Sequence, residues 1–454
     1  MKQKGRHFVM ATLFMVLGIM FVCGRAFAAE GFFIQDHLPK KLGEKLKISV
    51  ETRLRLEARD DYDFSKNADT GATATDTFYL LRTRLMLDAN VSEAIRAFVQ
   101  LQDSRIWDSA TANRFSIGFR DEFDVRQAYV DYKLKEVASA LEAFTIRAGR
   151  QELAYGDERL VGGFNWSNVA QSFDAVKLIY TDKNFSIDGW LGEKVPIDIR
   201  NPNNWYDDDE GFHGTYATYK GIDKHKIDLY YLYRNTSEPV TFGPSGSRKL
   251  NESTAGLRLR GEKMKDFDYT LEGAYQFGEF GSQDVSAHAV IALAGYTFSK
   301  IPWSPRLGVQ WNFASGDKDS TDNERNTFDN LWPTNHLHYG YIDFVSLQNL
   351  NAYNVKLNLS PAKKFSLQGD YWLFYLDETT DAAYNAGRGV LRAASQRAAS
   401  GYLGSEADVV AKYNWNKNLQ LEGGYAHFFA GTFLERTGAN DDADFFYLQS
   451  LLKF

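Results

Sequence analysis

Cysteine is nearly absent from this chain of 454 residues. The one cysteine, Cys23, lies close to the N-terminus. The chain beyond it therefore forms no disulfide and offers no thiol for catalysis or metal binding. Small secreted domains usually need disulfides because their cores are small, but a chain of this length does not. The lack of cysteine thus excludes thiol chemistry and remains compatible with export.

Long apolar runs are also absent, except at the N-terminus. Residues 2–6 carry basic side chains, residues 8–22 are mostly apolar, and Ala26-Phe27-Ala28 supplies the small residues of a cleavage site. We interpret residues 1–28 as a secretory signal peptide. A membrane anchor is the alternative, although the run is short for one, and a lipoprotein would need small residues before Cys23. No later run reaches the length of a membrane helix, which excludes a helical membrane domain.

Basic residues are in the minority. The chain has 52 Lys and Arg against 59 Asp and Glu, for a formal net charge of −7. Removing residues 1–28 takes away four basic side chains and no acidic one, which leaves 48 against 59 and a net charge of −11. An excess of negative charge disfavours binding to nucleic acid, whose affinity comes largely from cations on phosphates. We therefore expect no nucleic-acid partner.

Apolar residues recur at every second position in many short segments. From Val50 to Glu57, apolar or threonine side chains alternate with glutamate and arginine, and a similar alternation runs from Tyr353 to Leu359. A transmembrane β-strand alternates in this way because one face meets lipid and the other meets the lumen. About eighteen such segments are predicted, most of them near the length that crosses a bilayer when tilted. They are residues 47–58, 78–90, 95–104, 123–134, 143–152, 172–181, 184–192, 213–220, 225–234, 252–262, 266–277, 285–299, 304–314, 350–360, 364–374, 404–414, 418–428 and 444–454.

The connections between these segments distinguish a barrel from a soluble β-sandwich. Short turns at 90–93, 181–184, 221–224, 360–363 and 414–417 alternate with long polar loops, notably 193–212, 315–349 and 375–403. Outer-membrane barrels have short periplasmic turns and long extracellular loops. The predicted fold is therefore all-β, a single transmembrane antiparallel β-barrel over residues 29–454. Its last segment ends on Phe454, which is typical of the signal read by the outer-membrane insertion machinery.

A series of motifs resembles the alginate export family of bacterial outer-membrane barrels. In order they are YLLRTRLMLDAN, FVQLQDSR, DVRQAYVDY, RAGRQELAYGDERLVGG, SFDAVKL, ASGDKDSTDNERNTFDNLWPTNHLHYGYIDFVSLQNL, GSEAD and FFAGTFL. The resemblance covers nearly the whole chain after the signal peptide. It implies an eighteen-stranded monomeric barrel that passes a uronate polyanion through a lumen lined by arginine and lysine. By motif, Arg126 and Arg150 match positions at which the exporter carries selectivity arginines. An uptake porin for small anionic solutes is the alternative.

Cationic side chains follow the polar face of several predicted strands. A pore for carboxylated sugars needs fixed positive charge, and arginine pairs well with carboxylates. The candidate pore-lining residues are Arg53, Arg55, Arg82, Arg84, Arg126, Arg150, Arg159, Arg258, Arg260 and Lys356. Acidic candidates for the rim or lumen are Asp88, Asp131, Asp157 and Glu158, and we expect Asp157 or Glu158 to orient Arg150 or Arg159. Ladders of salt bridges with no role in selectivity are the alternative.

Two of these arginines share the parity of apolar neighbours. Arg126 matches Val130 and Tyr132, and Arg150 matches Ile146 and Ala148. A β-bulge would turn such a side chain to the lumen, and a regular strand would leave it facing the lipid headgroups.

The loops contain weak candidates for ligand binding. Asp317, Asp319 and Asp322 could bind calcium, but the spacing lacks the EF-hand pattern, so we expect no metal. His336 and His338 would share one face of a strand, but they have no third zinc ligand. Residues 207–210 are acidic and could meet lipopolysaccharide through divalent cations.

An outer-membrane hydrolase would need a converging serine, histidine and carboxylate. The eight histidines are scattered and no nucleophile elbow is present, so we expect no enzyme. No nucleotide-binding loop is present either, and we expect passive transport without a cofactor, with outer-membrane lipid and lipopolysaccharide around the barrel.

Overall fold

The computed structural model describes residues 33–64, 75–109, 118–136, 143–199, 209–393 and 400–454. The predicted signal peptide, residues 1–28, lies outside the described residues, as does half of the acidic stretch 207–210. Within the described ranges, no helix is both long and apolar enough to cross a membrane.

Eighteen long strands form one antiparallel sheet that closes on itself. They are β1 Leu46–Asp60, β2 Asp76–Asn90, β3 Ile95–Trp107, β4 Asp121–Lys133, β5 Phe144–Gln151, β6 Phe173–Thr181, β7 Phe185–Lys194, β8 Glu210–Tyr219, β9 His225–Thr236, β10 Leu250–Met264, β11 Phe267–Phe280, β12 Gln283–Thr297, β13 Arg306–Ala314, β14 Leu350–Ala362, β15 Phe365–Tyr375, β16 Tyr402–Asn414, β17 Leu419–Ala430 and β18 Ala443–Lys453. The barrel closes because β1 pairs with both β2 and β18, where Leu54 lies opposite Leu81 and Ser450. The predicted barrel and its strand number are confirmed.

The remaining elements are short. Small strands cover Val240–Phe242, Gly246–Arg248, Glu324–Arg325, Ala383–Tyr384 and Val390–Arg392. Helical turns cover Ile34–His37, Lys40–Gly43, Leu134–Glu136, Gly243–Ser245, Asn335–Leu337 and Thr432–Thr437. The turn at Asn335–Leu337 replaces the strand expected around His336 and His338.

The two ends of the barrel differ as the sequence predicted. The chain enters β1 and leaves β18 at one end, which we call the turn end, and the connections there are short. The opposite end, the loop end, carries the long connections. One connection departs from this pattern, because β11 and β12 are joined at the loop end by a turn through Gly281, where the loop was predicted to span 278–284. Gly281 has a φ of +62°, which suits glycine in a tight turn.

The outer face of the barrel is apolar. Leu191, Leu229, Val176 and Val309 expose more than half of their surface on the outward parity of their strands, whereas Trp190 and Tyr230 on the inward parity are buried. An exposed apolar face on every side of a closed sheet is what lipid requires.

Two long connections fold back into the barrel. The first, residues 152–172 between β5 and β6, is called the clamped loop; the second, residues 315–349 between β13 and β14, is called the plug loop. Aromatic and aliphatic residues of the plug loop, among them Phe328, Trp332 and Phe344, pack against inward side chains such as Phe212 and Phe428 in one buried cluster. The lumen is therefore packed rather than open.

Candidate functional site

The clamped loop and the plug loop meet in the lumen and pair through their backbones. Val161 and Trp332 form a parallel β-bridge. The N–H of Gly162 donates to the carbonyl of Trp332 at 2.9 Å, and the N–H of Trp332 donates to the carbonyl of Leu160 at 2.9 Å. A third bond joins the N–H of Thr334 to the carbonyl of Glu158 at 2.8 Å. The two loops thus form a single partition, which we call the diaphragm.

Cavities lie on both sides of the diaphragm. A cavity of about 570 Å³ opens toward the loop end, and Ser167 and Trp332 lie in its wall together with Lys194 and Arg388. A smaller cavity of about 240 Å³ lies on the turn-end side, with Arg159 and Lys356 in its wall. Both cavities therefore present cationic side chains to a solute that approaches the diaphragm.

Arginines of β1 and β2 hold the backbone of the clamped loop. Arg53 donates from Nη1 to the carbonyl of Asn165 at 2.9 Å and from Nη2 to that of Ser167 at 3.0 Å. Arg82 donates from Nη1 to the same two oxygens, at 2.8 and 3.1 Å. Both guanidinium groups are buried. These bonds fix the clamped loop against one wall of the barrel.

Arg55 and Arg84 extend this contact. Arg55 donates to the carbonyl of Trp166 at 2.8 Å and lies 3.9 Å from the centre of its indole ring, within the range of a cation–π interaction. Arg84 donates to the side-chain oxygens of Asn165 at 2.9 Å and Gln102 at 2.7 Å. All four arginines predicted on β1 and β2 therefore face the lumen.

Arg126 reaches the same cluster through a β-bulge. The register between β3 and β4 shifts at this point, where Gln100 pairs with Gln127 while Leu101 pairs with Val125. Arg126 is the additional residue, and it donates to Gln100 and to the carboxylate of Glu152. The bulge accounts for an arginine that faces the lumen despite sharing the parity of apolar neighbours.

The cluster carries more positive than negative charge. We call Arg53, Arg55, Arg82, Arg84 and Arg126 the arginine cluster. Its carboxylate partners are Glu51 on Arg82, Glu57 on Arg55 and Glu152 on Arg126. Among the described residues, these five guanidinium groups have three carboxylate partners, and Glu57 also binds Arg59 at 2.9 Å.

Arg150 does not join the cluster. It keeps the parity of Ile146 and Ala148, both of which are exposed on the outer face. Its guanidinium pairs with Asp174 of β6 at 2.9 Å. No register shift separates it from β6, so the side chain follows the regular alternation. The prediction that Arg150 lines the pore is therefore wrong.

The charged residues of the clamped loop are paired differently from the prediction. Asp157 binds Arg258 at 2.5 Å and Arg260 at 2.9 Å, two inward side chains of β10. Glu158 accepts from the hydroxyl of Thr334 at 2.6 Å, which strengthens the diaphragm. Neither carboxylate forms a salt bridge with Arg150 or Arg159. The prediction that Asp157 or Glu158 orients one of these arginines is therefore wrong.

Arg159 is buried at the diaphragm among neutral partners. Its Nη1 donates to Asn312 at 3.4 Å and to the hydroxyl of Tyr339 at 3.3 Å. The Nε2 atom of His338 lies 2.6 Å from the carbonyl of Asp157. Burial and the Arg159 guanidinium hold the pKa of His338 well below its ordinary value. The imidazole is therefore neutral in the packed loop and donates this hydrogen bond.

The plug loop is held at the opposite wall by a carboxylate. Oε1 of Glu406 on β16 accepts from the backbone N–H of Tyr341 at 2.6 Å and of Ile342 at 2.9 Å. Lys356, predicted to line the pore, pairs with Asp370 at 3.3 Å. Arginines therefore donate to carbonyl groups of the clamped loop, and the carboxyl group of Glu406 accepts from N–H groups of the plug loop.

Asp88 and Asp131 face the lumen near the turn end. Arg96 binds Asp88 at 2.7 Å and Asp131 at 2.8 Å, and Arg147 binds Asp131 at 2.6 Å. The sequence prediction omitted Arg96 and Arg147, although both follow the inward parity of their strands. It also omitted Lys194 and Glu406, whose facing follows from alternation although their contacts do not, and Arg388, which lies in a loop without a repeating pattern.

The metal candidates accept hydrogen bonds from neighbouring residues. Asp317 is buried and accepts from Ser245 at 2.9 Å, Asp319 accepts from Thr321, and Asp322 accepts from the N–H of Glu324. His336 stacks on Trp166 with ring centres 3.7 Å apart. In the described part of the chain, no three His, Cys, Asp or Glu side chains come together in a group that could hold a metal ion.

Comparison with solved structures shows the fold. The chain is similar to the Acinetobacter baumannii protein OccAB2, with a TM-score of 0.61 and 12% identity over 90% of this chain and 98% of that one. It is similar to Pseudomonas aeruginosa OccK11 (OpdR), with a TM-score of 0.56 and 13% identity over 94% and 98% of the two chains. A BenF-like porin from Pseudomonas fluorescens Pf-5 gives 0.58 and 11% over 90% and 99%. No curated protein matches the sequence.

The family model for alginate export matches residues 44–447, nearly the whole described chain. This match and the closed porin-like barrel place the protein in the bacterial outer membrane as a channel. The chain belongs to the alginate export family.

Proposed function

We propose that the protein is a passive channel for carboxylated solutes, and that its physiological substrate is a uronate-containing polysaccharide that leaves the cell. The turn end faces the periplasm and the loop end faces the medium. In this proposal one chain forms the channel, with β1 closed on β18 in a single sheet. The terminal Phe454 acts as the insertion signal.

The arginine cluster is the observation that carries the proposal. Its five guanidinium groups, at the wall beside the diaphragm, have three carboxylate partners in the described part of the chain. A guanidinium group pairs with a carboxylate through two parallel hydrogen bonds and keeps its charge at any physiological pH. Fixed cations at a narrow, low-dielectric passage raise the local concentration of anions.

Cations on both sides of the diaphragm support the same substrate class. Lys194 and Arg388 lie in the wall of the loop-end cavity, and Arg159 and Lys356 lie in the wall of the turn-end cavity. A carboxylated solute thus meets positive charge before and after the diaphragm. Moving the carboxylate of the solute from one cationic site to the next costs less free energy than transferring it from water to an apolar wall.

Efflux from liposomes tests the substrate class and its size. Purified protein is reconstituted with entrapped oligouronates or with neutral glucans of the same lengths. We expect faster release of the oligouronates at every length that passes, including oligomers longer than a disaccharide. Equal release of both series would contradict the proposal, and release of uronate monomers alone would support the uptake porin instead.

The matched variants are R126E, which reverses charge in the cluster, and R150E, which reverses charge on the outer face. R126E is expected to abolish the preference for uronate, and R150E to preserve it. An effect of the same size in both variants would mean that net charge, and not the cluster, sets the preference.

A further inference from the structure

Two arginines of the cluster share the same pair of oxygen atoms. The carbonyl oxygens of Asn165 and Ser167 each accept from both Arg53 and Arg82, at distances between 2.8 and 3.1 Å. A single carboxylate that bridged the two guanidinium groups would also place two oxygen atoms between them. The clamped loop therefore occupies, with neutral oxygens, a place whose chemistry suits an anion.

The arginine cluster also has unused hydrogen-bonding capacity. Among the described residues, the buried Nε atoms of Arg53, Arg55, Arg82 and Arg126 have no hydrogen-bond partner. Nη2 of Arg84, also buried, has no hydrogen-bond partner among the described residues either. A buried N–H group without an acceptor costs free energy, and the cost is larger when the group is charged. The neutral carbonyl groups of the clamped loop do not remove the free-energy cost of these unpaired N–H groups.

Resting on the proposed function, we propose that Arg53 and Arg82 form a carboxylate-binding site that the clamped loop masks, and that a uronate carboxylate opens the diaphragm by replacing the carbonyl groups of Asn165 and Ser167. The substrate is thus also the opening ligand. The exchange breaks and forms hydrogen bonds only.

The direction of the exchange follows from charge. A charge-assisted hydrogen bond is roughly twice as strong as one between neutral partners. The carboxylate also relieves the repulsion between two buried guanidinium groups, which neutral carbonyl groups do not. Because the site is masked in the closed state, the anion binds only the open state and shifts the population toward it.

The consequences for the diaphragm follow from the chain. Residues 165–167 lie close after Val161 and Gly162, which pair with Trp332 of the plug loop. Release of the carbonyl groups of Asn165 and Ser167 removes four of the hydrogen bonds that hold this segment against β1 and β2. The diaphragm then loses part of its support on the side of the arginine cluster, while Glu406 still holds the plug loop.

A single introduced thiol reports on this release. The chain has no cysteine after Cys23, so S167C provides the one thiol beyond the predicted signal peptide. Ser167 is buried and lies in the wall of the loop-end cavity. We expect its reaction rate with a small charged maleimide to rise with glucuronate concentration to a plateau on the order of tenfold. Glucose, or potassium chloride at the same ionic strength, is expected to leave the rate unchanged.

Variants of the two arginines complete the test. In S167C with R53Q and R82Q, the thiol is expected to react fast without glucuronate and to show no further response. S167C with R105Q is the control, because Arg105 pairs with Asp103 and is partly exposed on the outward parity of β3. If the double glutamine variant does not fold, R53K with R82K keeps the charge without the planar fork, and its response is expected at a higher glucuronate concentration.

Three results would overturn the proposal. They are an unchanged labelling rate with glucuronate, an equal rise with glucose or chloride, and a wild-type response in either arginine double variant. Reversal potentials of S167C channels separate this failure from that of the proposed function. An anion-selective channel without a labelling response contradicts the exchange alone, whereas a channel without anion selectivity contradicts the proposed function.

Discussion

Val161 and Trp332 join two loops that come from separate parts of the barrel, and their backbone bridge closes the lumen. Neither residue belongs to a barrel strand. The pairing joins the two connections into one layer with a cavity on each side. Because the bridge depends on close approach of the two backbones, a side chain that separates them should open the channel.

Gly162 permits this approach. A Cβ atom at this position would lie 2.5 Å from the hydroxyl of Thr334 and 2.6 Å from Cβ of Glu158. Overpacking of this kind costs about 1–3 kcal/mol. We therefore expect G162V to raise the open probability in planar bilayers. G273V is the control, since nothing lies within 4 Å of the Cβ position at Gly273. Equal conductance of G162V and the wild type would contradict a gating role for the bridge.

Glu406 should determine the stability of the plug loop. Its Oε1 accepts two backbone hydrogen bonds, and such a bond contributes about 0.5–1.5 kcal/mol to stability. E406Q keeps the shape and makes the acceptor weaker, so hydrogen exchange at Tyr341 and Ile342 should become faster, by about tenfold for each 1.4 kcal/mol lost. E435Q, on the exposed helical turn Thr432–Thr437, should leave these amides unchanged. Unaltered protection in E406Q would show that contacts other than those of Glu406 hold the plug loop.

Acid should loosen the diaphragm through His338. Burial and Arg159 keep its pKa well below the ordinary value, whereas the released loop regains a pKa of about 6.5. The released state therefore binds a proton more readily, and the packed state loses stability as the pH falls below about 6.5. Asp157 acts in the same direction at lower pH. Burial raises the pKa of Asp157, but the nearby Arg258 lowers it more, so the net shift is downward.

The pH effect is measured as open probability between about pH 7.5 and 5, the range that spans the ordinary histidine pKa. Wild-type channels should open more often as the pH falls through this range. H338Q keeps a donor toward the carbonyl of Asp157 but takes up no proton, so its open probability should rise less than that of the wild type. The same acid response in H338Q would assign the effect to other groups.

Much of the fold could be predicted from the sequence because it is periodic. Alternation identified all eighteen strands, and the bulge at Arg126 was one of two outcomes that its parity allowed. The same parity argument gave both outcomes for Arg150, and only the regular register of β5 with β6 decides between them. Parity alone therefore cannot distinguish a bulged arginine from an outward-facing one.

The diaphragm could not be predicted, for a physical reason. The contact of Val161 with Trp332 joins residues without a repeating pattern. The hydrogen bonds from Arg53 and Arg82 are accepted by backbone carbonyl groups. Because every residue has a carbonyl group, the sequence does not indicate which one is the acceptor. Alternation along regular strands placed cations such as Arg53 and Arg82 on the lumen side. The sequence did not show that carbonyl groups of the clamped loop accept hydrogen bonds from these arginines.

We propose that the arginine cluster makes the channel selective for anions. The reversal potential of single channels in a gradient of potassium glucuronate measures this directly, with R126E and R150E side by side. Arg126 contacts Glu152 in the lumen, and Arg150 pairs with Asp174 on the outer face. We predict an anion-selective potential for the wild type and R150E, and a shift toward cation selectivity for R126E. Cation selectivity of the wild type, or identical potentials in all three proteins, would contradict the account.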